Sequence, residues 1–81
     1  MKKEAVMSRG KVVYFNDQTQ FGIIQKYDGG GVLVESGALR ESGLTTLFEG
    51  QRLSFEIVNH NQVAKAVKLL PLLTKEKEKV D

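Results

Sequence analysis

Short β-rich runs, separated at close intervals by clusters of Gly, Asn and Asp, constrain this chain more than any other feature. Such punctuation belongs to an all-β barrel or sandwich, because every run ends on residues that favour turns before a helix could develop. The first run is Lys11-Val12-Val13-Tyr14-Phe15, closed by Asn16 and Asp17. The second is Phe21-Gly22-Ile23-Ile24-Gln25-Lys26-Tyr27, followed by the hairpin signal Asp28-Gly29-Gly30-Gly31. A short third run, Val32-Leu33-Val34, leads into a long irregular stretch from Glu35 to Gly50, with room for one helical turn around Gly37-Ala38-Leu39. The fourth, Gln51 to Val58, alternates strictly, so Leu53, Phe55 and Ile57 should face inward and Arg52, Ser54 and Glu56 should face water. Asn59-His60-Asn61 reads as the next turn. In the fifth run, Val63 to Leu69, Val63 and Val67 fall on one face and Ala64, Ala66 and Lys68 on the other. Pro71 cannot donate to a ladder and should end that strand, with Leu69 to Leu73 extending it or covering the open end of a barrel.

The chain has 81 residues, room for one small domain whose buried fraction, about 60% of the unfolded surface, gives modest stability. It divides into a flexible basic arm (1–8), a folded domain (9–70) and a tail (71–81) that should be disordered from about residue 74, where Lys and Glu alternate. No cysteine is present, which excludes disulfides and thiolate metal sites. No apolar run approaches the roughly 20 residues that span a bilayer. The expectation is a cytoplasmic protein with no membrane partner. Net charge is +2, and the surplus sits in residues 1–9, the arm and the first residue of the domain, where Lys2, Lys3 and Arg9 face only Glu4. The body between is balanced, which makes it a weak attractor of phosphate.

Catalysis finds no candidates. No Ser-His-acid or Cys-His set can be assembled, and the lone His60 sits in a turn without convergent ligands. Gly29-Gly30-Gly31 lacks the Lys-Ser/Thr and helix of a phosphate-binding loop. Neither an enzyme nor a cofactor or metal is expected.

Gly10-Lys11-Val12-Val13-Tyr14-Phe15-Asn16 resembles G-x-V-K-W-F-N, the opening of the cold-shock domain family. Phe21-Gly22-Ile23-Ile24 resembles the core of that family's first nucleic-acid motif, K-G-F-G-F-I, and Val32-Leu33-Val34 falls where its second, V-F-V-H-F, belongs. Ala38-Leu39 sits at the position of S-A-I, and Leu47 with Glu49 to Glu56 resembles L-x-E-G-Q-x-V-x-F-E. Ala64 and Val67 fall near the closing A-A-N-V. The resemblance runs from about residue 9 to 68, with its pieces in order and correctly spaced. It implies a five-stranded antiparallel β-barrel of oligonucleotide-binding (OB) type that binds single-stranded RNA or DNA on an aromatic sheet face, as an RNA chaperone or regulator of gene expression.

Measured against that resemblance, the face is depleted. Tyr14 replaces the tryptophan and Phe21 is kept, but Ile23, Leu33, Ser36 and Leu44 stand at aromatic positions. Glu35 replaces a histidine, Val13 a lysine, and Thr19-Gln20 a Lys-Gly pair. The binding residues the resemblance implies are Lys11, Tyr14, Phe21, Ile23, Leu33 and Arg52. Phe15 and Phe48 have no strong claim, and Phe55 belongs to the core. Each stacked base is worth about 1–3 kcal/mol, so the expected binding is weak and salt-sensitive, or absent. The competing expectation is an adaptor whose aliphatic sheet face (Ile23, Leu33 and Leu44 with Val13) meets a protein partner or a second copy of the chain.

Overall fold

A computed structural model describes residues 7–72. The first six residues of the arm and the tail from residue 73, including the segment expected to be disordered, lie outside the described residues. The elements in chain order are β1 (Ser8–Asn16), β2 (Phe21–Lys26), β3 (Gly31–Val34), α1 (Ser36–Glu41), β4 (Arg52–His60) and β5 (Val63–Pro71). The strands close into a barrel in the order β1-β2-β3-β5-β4. This is the all-β, five-stranded OB-type barrel that the alternation and the resemblance predict.

One part of the expectation is corrected. The sheet is mixed, because β3 and β5 run parallel at Leu33 and Lys65 while the other neighbours are antiparallel. The reason is parity. Directions that reverse at every step around a ring of five cannot return to their start in register, so one neighbouring pair must run the same way. A parallel pair needs a long crossover, and the chain supplies it through α1, β4 and their loops.

The core consists of the inward residues of the strands with a plug from α1. Val12, Ile24, Val32, Val34, Leu53, Phe55, Ala66 and Leu69 are buried, joined by Ala38 and Leu39 of α1 and Leu47 of the following loop. The single turn expected around Gly37 thus becomes a short helix whose buried Ala38 and Leu39 give it a reason to form. It stops in a Schellman motif: Gly43 N–H donates to Arg40 O at 3.1 Å and Leu44 N–H to Leu39 O at 2.9 Å, with Gly43 at φ 76°. Ser42 Oγ then accepts the Leu69 N–H at 2.9 Å, which fastens the helix end to β5.

Two bulges reset the strand alternation. On β1, Val12 pairs with Ile24 but Tyr14 pairs with Ile23, so Val13 is the extra residue. On β5, Ser54 faces Leu70 while Glu56 faces Val67, and Lys68 takes φ 54°. Ala64 and Ala66 share a face as expected, and it turns toward the core, but Lys68 does not join them. The bulge exposes Lys68 and carries Leu69 into the core instead. On β4, Leu53 and Phe55 are fully buried and Ile57 packs against the core. Ser54 is also buried, contrary to the alternation, with Arg9 opposite it on β1 and Leu70 on β5. The turn after β4 is Asn61-Gln62 rather than Asn59-His60-Asn61. Both central residues have positive φ, 55° and 66°, the signature of a two-residue hairpin whose twist matches its strands.

Gly10 and Gly37 give opposite mutational outcomes. A Cβ at Gly10 would lie 2.5 Å from Gln25 O and 2.7 Å from Ile24 Cγ2, whereas at Gly37, inside α1, it would meet nothing within 4 Å. In urea unfolding, Gly10→Ala is expected to lose about 1–3 kcal/mol by overpacking. Gly37→Ala is expected to gain about 0.5–1 kcal/mol from the smaller entropy cost of helix formation.

Candidate nucleic-acid interface

The outward side of β1, β2 and β3, with Arg52 at the start of β4, carries the sequence-predicted residues, all but Phe21 in two cross-strand rows. Tyr14 pairs with Ile23, Ile23 with Leu33, and Leu33 with Lys65. Two residues further along β2, Arg52 pairs with Lys11, Lys11 with Gln25, and Gln25 with Gly31. The first row holds a ring and aliphatic side chains and ends on Lys65, and the second holds two cations, Arg52 and Lys11, before Gln25 and Gly31. Neighbours within a row lie about 4.5–5.5 Å apart at Cβ, close enough to form one continuous surface. Phe21 stands at the other end of β2, opposite Asn16.

Tyr14 reaches this face because of the β1 bulge. Val12 points inward, and strict alternation would have turned Tyr14 inward as well. The extra residue Val13 sends Tyr14 out, 42% exposed, and returns Phe15 toward the core. Phe21, Ile23 and Leu33 are half-buried, while Lys11 and Arg52 are exposed. The loop before Phe21 is fixed by hydrogen bonds. Asn16 Oδ1 accepts from the Gln18 and Thr19 N–H groups at 2.9 and 3.1 Å. Gln20 Nε2 donates to Thr45 O at 3.1 Å, and Thr46 Oγ1 donates to Asp17 Oδ1 at 2.9 Å. The β1–β2 loop is therefore tied to the loop after α1.

Next to that junction, Gln20, Ser36, Arg40, Leu44 and Thr45 line a hollow of about 370 Å³. Ser36 and Leu44 are the positions where the resemblance places aromatic rings, and their smaller side chains leave the hollow open. Leu44 packs against the core. Like Ile23 and Leu33 it is half-buried, and the 44% exposed Val13 is the most accessible of the four aliphatic residues.

Several features escaped the sequence reading. Lys65 stands at the end of the ring-bearing row, and its Nζ lies 3.1 Å from Glu35 Oε2. The carboxylate that replaces a histidine is therefore paired. Lys65 reaches it only because β5 closes beside β3, a long-range contact that no local pattern reports. Two further rings are exposed, Tyr27 at 56% and Phe48 at 65%. Among the described residues no group of three His, Cys, Asp or Glu is placed to hold a metal ion, and no helix is long and apolar enough to cross a membrane.

A closed OB-type barrel with rings, aliphatic side chains and cations on the outward side of three adjoining strands defines a class of oligonucleotide-binding domain. Comparison with known proteins makes the family specific. Residues 8–72 match the 'Cold-shock' DNA-binding domain, and the chain belongs to that family. It is 46% identical over 66 residues to the cold shock protein CspB of Bacillus caldolyticus, covering 78% of this chain and 100% of the relative. It is 39% identical over 66 residues to the cold shock protein CspD of Bacillus subtilis (strain 168), covering 82% of this chain and 100% of that protein. The cold shock-like protein CspE of Escherichia coli (strain K12) is 38% identical over 65 residues, with coverage of 79% and 94%. Membership places the chain among nucleic-acid-binding, non-enzymatic proteins.

The Glu35–Lys65 pair is partly exposed, with side chains 51% and 26% accessible. Ion pairs in that setting contribute about 0–1 kcal/mol. Replacing both residues by Gln is expected to shift the urea midpoint by no more than this range allows.

Proposed function

We propose that the domain binds single-stranded RNA or DNA through the outward side of β1, β2 and β3, with weak, salt-sensitive affinity, as an RNA chaperone or regulator of gene expression. Tyr14 and Phe21 stack bases, Ile23 and Leu33 supply aliphatic contact between them, and Lys11 and Arg52 meet phosphate. The observation that carries this reading is the row Tyr14–Ile23–Leu33, which runs outward across three strands but holds a single ring. An aliphatic side chain offers a base some contact area without a π-face, so the surface keeps its shape and loses strength. Few cations adjoin the row, and Lys65 is engaged with Glu35.

A second reading is favoured by the direct pairing of Ile23 with Leu33 beside exposed Val13. In it, the same face meets a protein partner or a second copy of the chain. Sedimentation at rising concentration separates the two, since the first reading expects a monomer.

Titration with oligo-dT and oligo-U at about 50 and 200 mM salt tests the main reading. Tyr14→Ala and Phe21→Ala should each cost about 1–3 kcal/mol of binding. Leu33→Phe should strengthen it by restoring a ring to the middle of the face. Glu35→Gln should strengthen it as well, by removing a carboxylate and releasing Lys65. Unchanged affinity in both alanine variants would refute the stacking assignment.

A further inference from the structure

Beyond the row that carries Tyr14, β2 leads to a second ring. Phe21, Ile23 and Gln25 share the outward side of β2, and Tyr27 follows directly after the strand, 56% exposed. From Ile23 to Tyr27 is about 13 Å at the usual rise per residue. The backbone of Tyr27 is held in place: its N–H donates to Arg9 O at 3.1 Å, while Gly29 N–H donates to Lys26 O at 3.1 Å within the turn.

Cations collect around this ring. Lys11, Gln25, Lys26, Tyr27 and Arg52 line one shallow depression of about 280 Å³. On its other side Tyr27 borders a second depression of about 290 Å³, which it shares with Arg9 and Asp28. Asp28 is the one carboxylate lining either depression, and it lies 3.8 Å from Lys26 Nζ. Among the described residues, no ion pair engages Arg9, Lys11 or Arg52. The barrel body is almost neutral overall, yet at this corner four cations face one acid and surround an accessible, backbone-anchored aromatic ring.

We propose that this corner is an additional nucleotide subsite, in which Tyr27 stacks a base and Lys11, Arg52 and Arg9 take the phosphates beside it. Single strands are held by this combination of a π-face, which accepts any base, and cations that follow the backbone. A strand lying along β2 would cross Phe21, Ile23 and the cationic row before reaching Tyr27, so the subsite is filled only by oligonucleotides long enough to extend past the first row. The proposal rests on the reading that the outward side of β1 to β3 binds single strands, and it adds the direction in which the strand continues.

The test is a series of oligo-dT lengthened one nucleotide at a time, from about four to about ten, titrated against the wild-type chain, Tyr27→Ala, Tyr27→Phe, Lys11→Gln and Tyr14→Ala. Circular dichroism confirms that each variant is folded. The expected result is that Tyr27→Ala binds the shortest oligonucleotides like wild type and the longer ones about tenfold more weakly, while Tyr27→Phe binds all lengths normally. Lys11→Gln should lower the salt slope for the longer strands by about 0.7. If Tyr14→Ala weakens binding and Tyr27→Ala leaves every length unchanged, the subsite is refuted and the face reading stands. If Tyr27→Ala weakens long strands and Tyr14→Ala has no effect, the subsite stands and the assignment of Tyr14 as a stacking ring falls. No binding of any length by the wild-type chain overturns both.

Discussion

One extra residue in β1 decides which ring this barrel shows to solvent. A β-strand assigns its side chains to two faces by parity, and Val12 must be inward because it fills the core beside Ile24 and Leu53. Parity alone would then bury Tyr14. The bulge at Val13 spends a residue without advancing the pairing, so Tyr14 emerges opposite Ile23 while Phe15 turns back to pack on the core. The outward row, its continuation to Leu33 and the proposed base-stacking all follow from that reset.

Closure of an odd ring has the second largest consequence. The parallel pairing of β3 with β5 brings Lys65 beside Leu33 and within 3.1 Å of Glu35. A substitution that the sequence presents as a naked negative charge on the binding side is, in the fold, half of an ion pair. It still competes for the nearest cation. Of the cations that have no acidic partner among the described residues, Arg9, Lys11 and Arg52 stand on β1 and β4, and Arg40 stands apart on α1. Attraction for phosphate is thereby displaced from the ring-bearing row toward the corner where β2 turns into β3.

Much of this was legible in the chain. The turn clusters marked the strands, the alternation from Gln51 to Val58 placed Leu53 and Phe55 in the core, and motif order gave the barrel and the outward side of β1 to β3. Part of what escaped comes from bulges, and the rest from contacts between distant strands. Alternation is a count, and a bulge alters the count without leaving a residue type that announces it. Lys68, in a left-handed conformation that lysine rarely adopts, is the plainest instance, since its bulge exchanges Lys68 for Leu69 at the core. Burial of Ser54 and pairing of Lys65 depend on strands distant in sequence. Tyr27 lies outside every motif and Phe48 at an unspecified position of one, and only their surroundings in the fold mark them as accessible rings.

Reception of single strands by the outward side of β1 to β3 remains the proposal on which the others rest. Backbone amide shifts recorded during an oligo-dT titration address it most directly. Tyr14, Phe21, Ile23 and Leu33 are expected to move in fast exchange, with smaller changes at Lys11 and Gln25, while the β4–β5 hairpin around Asn61 stays still. Shifts confined to that hairpin, or none at saturating oligonucleotide, would contradict the proposal.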